Sequence, residues 1–195
     1  IEKLEAQKQI GSVPVEPTLE VYTAWDLGLD DSTAIWFAQI AGREIRIIDY
    51  YETNNMSLTE IAKVIRNEKP YVYAAHYLPH DVEIREMMTA KSRKESLESL
   101  GISPIVVASR QSVEEGISAA RSLLPKCWFD AQRCKQGLES LRQYRRAWDD
   151  KKKAFRPTPM HDWASHGADA FRYLAMCLEP KAKKQRLQYS SKGIV

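Results

Sequence analysis

Three short stretches of this chain place carboxylates where stability alone has little use for them. Asp26 lies in Ala24-Trp25-Asp26-Leu27-Gly28, where an apolar β-like run passes straight into a glycine turn. A carboxylate at the end of a buried strand is desolvated unless a cation or a proton partners it. The bland alternative is an Asx turn that satisfies backbone amides. Asp81 ends His76-Tyr77-Leu78-Pro79-His80-Asp81, in which Pro79 fixes the exit from a second long run and Asp81 opens the following helix; an N-cap role explains it equally well. Asp162, His166 and Asp169 are spaced by four and three, which puts them on one face of a helix beside the small residues Ala164 and Ala168. Here the alternatives are a cap for Asp162 and a surface ion partner for His166.

Taken together, two strand-end aspartates and one helix aspartate make a set of hard oxygen ligands. Such a set suits Mg²⁺ or Mn²⁺ rather than zinc, which prefers Cys and His. Two such ions about 3.5–4 Å apart can activate water on one side of a phosphodiester and stabilise the leaving oxygen on the other. Competing chemistries lack their parts. The four histidines, His76, His80, His161 and His166, are scattered, and no Ser or Cys nucleophile motif accompanies them. Neither G-x-x-x-x-G-K-[ST] nor G-x-G-x-x-G occurs, so nothing in this stretch of sequence cradles ATP or a dinucleotide.

The elements that must position these residues follow from periodicity. Leu19–Trp25, Thr33–Ile40 and Glu44–Tyr51 read as strands joined by short turns at Gly28–Asp31 and Ala41-Gly42. Short connections imply an antiparallel meander, since a parallel pair needs a crossover of a dozen residues or more. Ser57–Lys69 has helical spacing with a capping box, Ser57 and Glu60. Then alternate a strand at Tyr71–His76, a helix from Asp81 to Leu100, a strand at Ile102–Ala108, a helix near Ser112–Leu124, a short strand at Cys127–Phe129 and a helix over Asp130–Tyr144. The expected fold is α/β: a mixed sheet, three antiparallel strands plus parallel ones, flanked by helices. The block between Tyr144 and Pro159 reads as an exposed β-hairpin turning at Asp149–Lys152, with Trp148 and Phe155 packing against each other. From Arg142 to Arg156 it carries seven basic residues, Arg142, Arg145, Arg146, Lys151, Lys152, Lys153 and Arg156, against two acids. Beside an acidic cleft such a hairpin can neutralise a nucleic-acid backbone; alone it is a solvated charged hairpin. The last helix, Asp162–Leu178, has an apolar stripe and ends before Pro180.

Composition bounds the rest. The chain has 195 residues, 44% of them apolar, enough for one core. Lys and Arg number 29 against 26 Asp and Glu, a net charge of +3, so binding a polyanion depends on clustering rather than on overall charge. Three cysteines, Cys127, Cys134 and Cys177, form no C-x-x-C pair; buried free thiols in a reducing, intracellular setting are expected. No apolar run reaches the about 18 residues of a membrane span. Residues 1–18 read as an irregular linker or domain edge, 19–179 as the folded domain, and 180–195 as a basic flexible tail.

Trp25-Asp26-Leu27-Gly28 with Asp31–Ile35, Leu78-Pro79-His80-Asp81, and above all the run from His161 to Leu174 (His161-Asp162-Trp163-Ala164-Ser165-His166-Gly167-Ala168-Asp169-Ala170-Phe171-Arg172-Tyr173-Leu174) resemble the C-terminal nuclease domain of tailed-phage large terminases. The resemblance covers about Leu19 to Leu178 and implies a ribonuclease H-like fold. It implies that Asp26, Asp81 and Asp169 are catalytic acids that bind two divalent cations, Mg or Mn, with Asp162 and His166 accessory. Glu83 competes with Asp81 for the second place and Asp162 with Asp169 for the third. It further implies an endonuclease that cuts concatemeric double-stranded DNA during viral genome packaging. An upstream ATPase domain, a portal and a small terminase subunit would be its partners, and the host cytoplasm its location. Two other readings share these residues: a resolvase or transposase core of the same fold, which cuts branched DNA or joins strands, and a noncatalytic DNA or portal docking module in which the acids only cap helices.

Overall fold

The computed structural model describes residues 1–28, 32–85 and 90–178. Residues 29–31 of the expected Gly28–Asp31 turn, four residues of the expected 81–100 helix and the basic tail lie outside the described residues.

The meander forms as its patterning requires. Strands β2 (Val21–Leu27), β3 (Ser32–Ala41) and β4 (Glu44–Asn54) pair antiparallel in sequence order. The centre of β3, Ala34-Ile35-Trp36-Phe37-Ala38, is buried on both faces, as suits a strand in the middle of a covered sheet. Parallel strands extend the sheet on both sides. Strand β5 (Tyr73–Leu78) lies against β2 and β6 (Ile105–Val107) against β5, while β7 (Cys127–Asp130) lies against β4. The seventh strand comes from the segment expected to be irregular. Residues 1–18 hold a short helix, α1 (Glu2–Ala6), and β1 (Ile10–Gly11), which pairs with β7; Leu4 and Val13 are buried. Asp130 anchors that edge, accepting from the backbone amides of Val13 and Arg133.

Helices cover both faces. Trp25, Ile35, Phe37 and Ile48 pack under α2 (Leu58–Lys63), its π-helical continuation Val64–Glu68 and α3 (Arg93–Ser99). Trp36, Tyr50 and Phe129 pack under α4 (Val113–Leu123), α5 (Lys135–Gln143) and α6 (Trp163–Leu178). Capping boxes at Ser57/Glu60 and Ser112/Glu115 form as expected, and a third forms at Ser92/Glu95. Helix α6 is buried over most of its surface, and α5 and α6 approach the sheet and each other closely at glycines, Gly137 on α5 and Gly167 on α6. A Cβ on Gly137 would stand 2.4 Å from the Trp36 ring, and one on Gly167 would stand 2.1 Å from Ser140 Oγ. The Trp36 indole donates to the Gly167 carbonyl at 2.7 Å, which ties α6 to β3.

The expected 81–100 helix is shorter in the structure. His80–Glu83 is a single 3₁₀ turn, Arg85 and Ser92 make an isolated antiparallel bridge, and only Arg93–Ser99 is α-helical. Similarly, residues 130–134 turn before α5 starts, because the Asp130 carboxylate captures the amides of Gln132 and Arg133. The hairpin stands as expected: β8 (Arg146–Asp149) pairs antiparallel with β9 (Ala154–Pro159), and Trp148 meets Phe155 edge to face at 5.0 Å. No described helix is long and apolar enough to cross a membrane.

Candidate active site

Strands β2 and β5 run parallel, so their C-terminal ends open on one side of the sheet. Asp26 is the penultimate residue of β2, one step further into the strand than its sequence pattern suggests. Its register partner is Ala34, which in turn pairs with Glu52, so one row across the sheet carries an acid, a small residue and a second acid. Asp26 lies on the face covered by α6, where His166 Nδ1 lies 3.2 Å from its Oδ2. Burial pushes the Asp26 carboxyl above its ordinary range; the hydrogen bond from His166 pulls it down and the charge of Asp169 adds to the rise. Glu52 accepts from Tyr50 and, at 3.0 Å, from Gln136.

Asp81 sits in the 3₁₀ turn just beyond β5 and makes no side-chain cap. Its Oδ2 pairs with Arg93 Nη2 at 3.3 Å, while its Oδ1 is buried with no hydrogen-bond partner among the described residues. Glu83, its competitor, points its carboxylate at Lys94 instead, at 3.3 Å.

The three polar residues of α6 separate in role. His166 is buried against Asp26. Asp169 is taken by α6 and the end of α5: its Oδ1 accepts from Arg172 Nε at 3.0 Å and from the Tyr144 hydroxyl at 3.1 Å. Asp162 caps the helix by accepting from the Ala164 amide at 3.0 Å, and its other oxygen lies 3.8 Å from Arg145. Tyr173, at the same helical face as His166 and Asp169, has its phenol pushed up to about 12, by burial first and then by the charges of Asp26, Asp169 and Asp81. Sequence reasoning missed Arg93, Tyr144, Arg172 and Tyr173. Arg172 and Tyr173 were legible as i+3 and i+4 neighbours of Asp169, whereas Arg93 and Tyr144 reach the site through the fold alone.

The donors are of the type that Mg²⁺ or Mn²⁺ takes, and the orphaned oxygen of Asp81 fits a ligand from outside the chain. Among the described residues no three of His, Cys, Asp and Glu gather tightly enough to make an all-protein cage. Mg²⁺ seldom uses one; it is bound through one or two carboxylates, with water and substrate phosphate completing the shell.

The basic residues around the hairpin divide into groups. Arg142 belongs to the last turn of α5 and pairs with Glu5 and Glu139. Arg145 faces Asp162, and Arg146 pairs with Glu114 of α4 at 3.3 Å. Lys151, Lys152 and Lys153 form the exposed turn, with Arg156 on β9. A groove of about 650 Å³ runs between α4, α6 and the foot of this hairpin, with Arg121, Arg145, Arg146, Tyr144 and Arg172 in its walls.

His76 belongs to the opposite face. The Trp25 indole donates to Thr23 Oγ1, which lies 2.7 Å from His76 Nδ1, and burial pushes the imidazole down to about 4. It is a neutral core residue.

Solved structures of similar architecture exist. The nuclease domain of the P22 large terminase superposes with a TM-score of 0.64 at 19% identity, over 86% of this chain and 85% of that one. The nuclease domain of the bacteriophage SPP1 large terminase, which holds Mn, gives 0.60 at 20% identity over 84% and 92%. The chain has the fold of a large-terminase nuclease domain. This ribonuclease H-like fold also forms part of the large terminase from a thermophilic bacteriophage, with a TM-score of 0.64 at 17% identity, where 88% of this chain spans 43% of the other. No protein-family model and no curated protein matches the chain by sequence.

Proposed function

We infer that this chain is the nuclease part of a phage DNA-packaging terminase, a metal-dependent endonuclease that cuts concatemeric double-stranded DNA. The observation that carries the reading is the 3.2 Å contact between Asp26, near the open end of β2, and His166 of α6, beside the parallel β5 that leads to Asp81, on the fold that P22 and SPP1 use for terminase nucleases. Asp26 and Asp81 would hold the cations, Mg or Mn, with Asp169 or His166 as the contribution from α6; the Mn in the SPP1 domain supports that choice of ion. Bound there, two such ions supply an activated water and charge stabilisation for the leaving oxygen.

The chain's own residues prepare that chemistry. With Asp26 ionised, as a metal-holding carboxylate must be, His166 Nδ1 serves as the donor to it and orients the carboxylate. Arg172 and Tyr144 hold Asp169. The Lys151–Lys153 turn and Arg156 would grip the duplex backbone, with Arg145 and Arg146 lining the groove at the hairpin's foot. An upstream ATPase domain, portal and small subunit complete the expected assembly, in the host cytoplasm.

The test is cleavage of supercoiled plasmid with Mn²⁺, Mg²⁺, Ca²⁺ or EDTA, by the chain and by Asp26→Ala, with folding followed by circular dichroism. Metal-dependent nicking and linearisation that a folded Asp26→Ala variant lacks is the expected result. Equal cleavage by the variant removes Asp26 from the chemistry, and no cleavage by the chain favours the docking module. Preference for junctions over linear duplex favours a resolvase-like enzyme.

A further inference from the structure

Arg93 opens α3, twelve residues after Asp81, and is 9% exposed. Its guanidinium is divided between two elements: Nη1 donates to the Leu27 carbonyl at 3.1 Å and Nη2 to Asp81 Oδ2 at 3.3 Å. Leu27 is the residue after Asp26. One planar fork therefore spans the gap between the end of β2 and the turn after β5, the two places that present the first and second acids. The start of α3 is itself fastened, by the Ser92/Glu95 capping box, by the Arg85–Ser92 bridge and by the Lys94–Glu83 pair. Arg93 engages Oδ2, and Oδ1 of the same carboxylate is buried with no hydrogen-bond partner among the described residues. A buried carboxylate oxygen without a donor is costly, and it persists where a ligand supplies the missing partner.

We propose that Arg93 is the positioning residue of the metal site: it sets the spacing between the Asp26 and Asp81 carboxylates and turns Asp81 so that Oδ1 is kept for the cation. This rests on the nuclease reading and adds to it a residue that acts through Asp81 and the end of β2. Hydrogen-bonded partners of ligating carboxylates affect metal affinity by about 10–100-fold. Electrostatics alone points the other way, since removing a nearby positive charge favours a cation. The sign of the effect therefore decides between geometry and charge.

The experiment measures Mn²⁺ binding by isothermal titration calorimetry for the chain, Arg93→Gln, Arg93→Lys and Asp26→Asn, with circular dichroism and thermal melting on each. Plasmid cleavage is followed across a Mn²⁺ titration. Arg93→Gln is expected to weaken Mn²⁺ binding by about 10–100-fold. Its cleavage should recover toward the unsubstituted rate at saturating Mn²⁺. Arg93→Lys should be intermediate, because a point charge cannot satisfy both the Leu27 carbonyl and Asp81. Mn²⁺ binding by Arg93→Gln as tight as, or tighter than, that of the chain overturns the proposal while the nuclease reading stands. Full rescue by lysine overturns it as well, and decides the matter if the glutamine variant does not fold. If the unsubstituted chain neither binds Mn²⁺ nor cuts, the functional reading fails first and the proposal falls with it.

Discussion

Asp26 and His166 are 140 positions apart in sequence and 3.2 Å apart in space, Oδ2 to Nδ1. Strand β2 and helix α6 have other contacts that hold them together, so this pair is not needed to fasten them. It does set the orientation of a carboxylate that burial disfavours in its charged form. Asp26→Asn keeps the shape and removes the charge. Metal-dependent cleavage should fall by about 100-fold or more, since the hard anionic ligand is gone. In the absence of metal the same variant should melt above the unsubstituted protein, because a raised carboxyl pKa means that ionisation costs folding energy. This carboxyl favours the fold below its unfolded value and loses that contribution as pH rises through its folded value. A gain in stability with a loss of activity is the expected signature, read by melting and plasmid cleavage together.

His76 should behave in the opposite way. Its folded pKa is lowered to about 4 from 6.5, so it is neutral in the fold while the unfolded chain takes a proton. Its contribution is present above pH 6.5 and is lost as pH falls toward about 4, on the order of 3 kcal/mol at about 1.4 per pKa unit. Proton NMR should show the His76 ring neutral at pH 5.5. Urea unfolding should give a His76→Gln variant whose stability depends less on pH across that window. A ring that protonates near 6.5 contradicts the neutral core role.

Gly167 lies between His166 and Asp169, and a Cβ there would meet Ser140 Oγ at 2.1 Å and the Tyr50 hydroxyl at 2.8 Å. Tyr50 has little room to retreat, because its ring packs on Trp36 at 4.5 Å. Gly167→Ala should therefore cost about 1–3 kcal/mol by overpacking and displace α6 from β2, lowering cleavage as well. Gly11→Ala, where nothing lies within 4 Å of the added carbon, is the matched control and should leave both unchanged.

The sequence announces most of the elements and only the types of the site residues. The meander, the capping boxes at Ser57 and Ser112, the hairpin and helix α6 are readable because each depends on local periodicity or capping chemistry. Strand β1 is not, since two residues have no period and Ile10-Gly11 is a strand only because β7 offers an edge. The single 3₁₀ turn at Asp81 is hidden for a similar reason. Its helical pattern is local, whereas the Asp81 carboxylate is committed to Arg93 through a tertiary contact. On α6, spacing puts Asp162, His166 and Asp169 on one face without saying which reaches Asp26. The answer depends on where α5 and β2 lie: Tyr144 and Arg172 claim Asp169, Ala164 claims Asp162, and His166 meets Asp26.

The basic hairpin invites a test that separates phosphate contact from fold support. Lys151, Lys152 and Lys153 turn an exposed two-stranded ribbon whose own packing is the Trp148–Phe155 contact, so replacing all three with alanine leaves that packing intact. Each lysine that contacts a duplex phosphate contributes about 0.9 to the slope of log affinity against log salt, so the triple variant should flatten that slope by up to about 2.7. Cleavage at saturating DNA should be little changed, because phosphate contacts of this kind act on binding and position rather than on the cutting step. Arg142 provides the contrast. It pairs with Glu5 and Glu139, joining α5 to α1, so Arg142→Ala should cost about 1 kcal/mol or less of stability and leave the salt slope where it was. Binding measured by fluorescence anisotropy at several salt concentrations decides the point. If the lysine variant shows an unchanged slope, the hairpin turn is not a phosphate contact, and the groove walled by Arg121, Arg145 and Arg146 becomes the surface to substitute next.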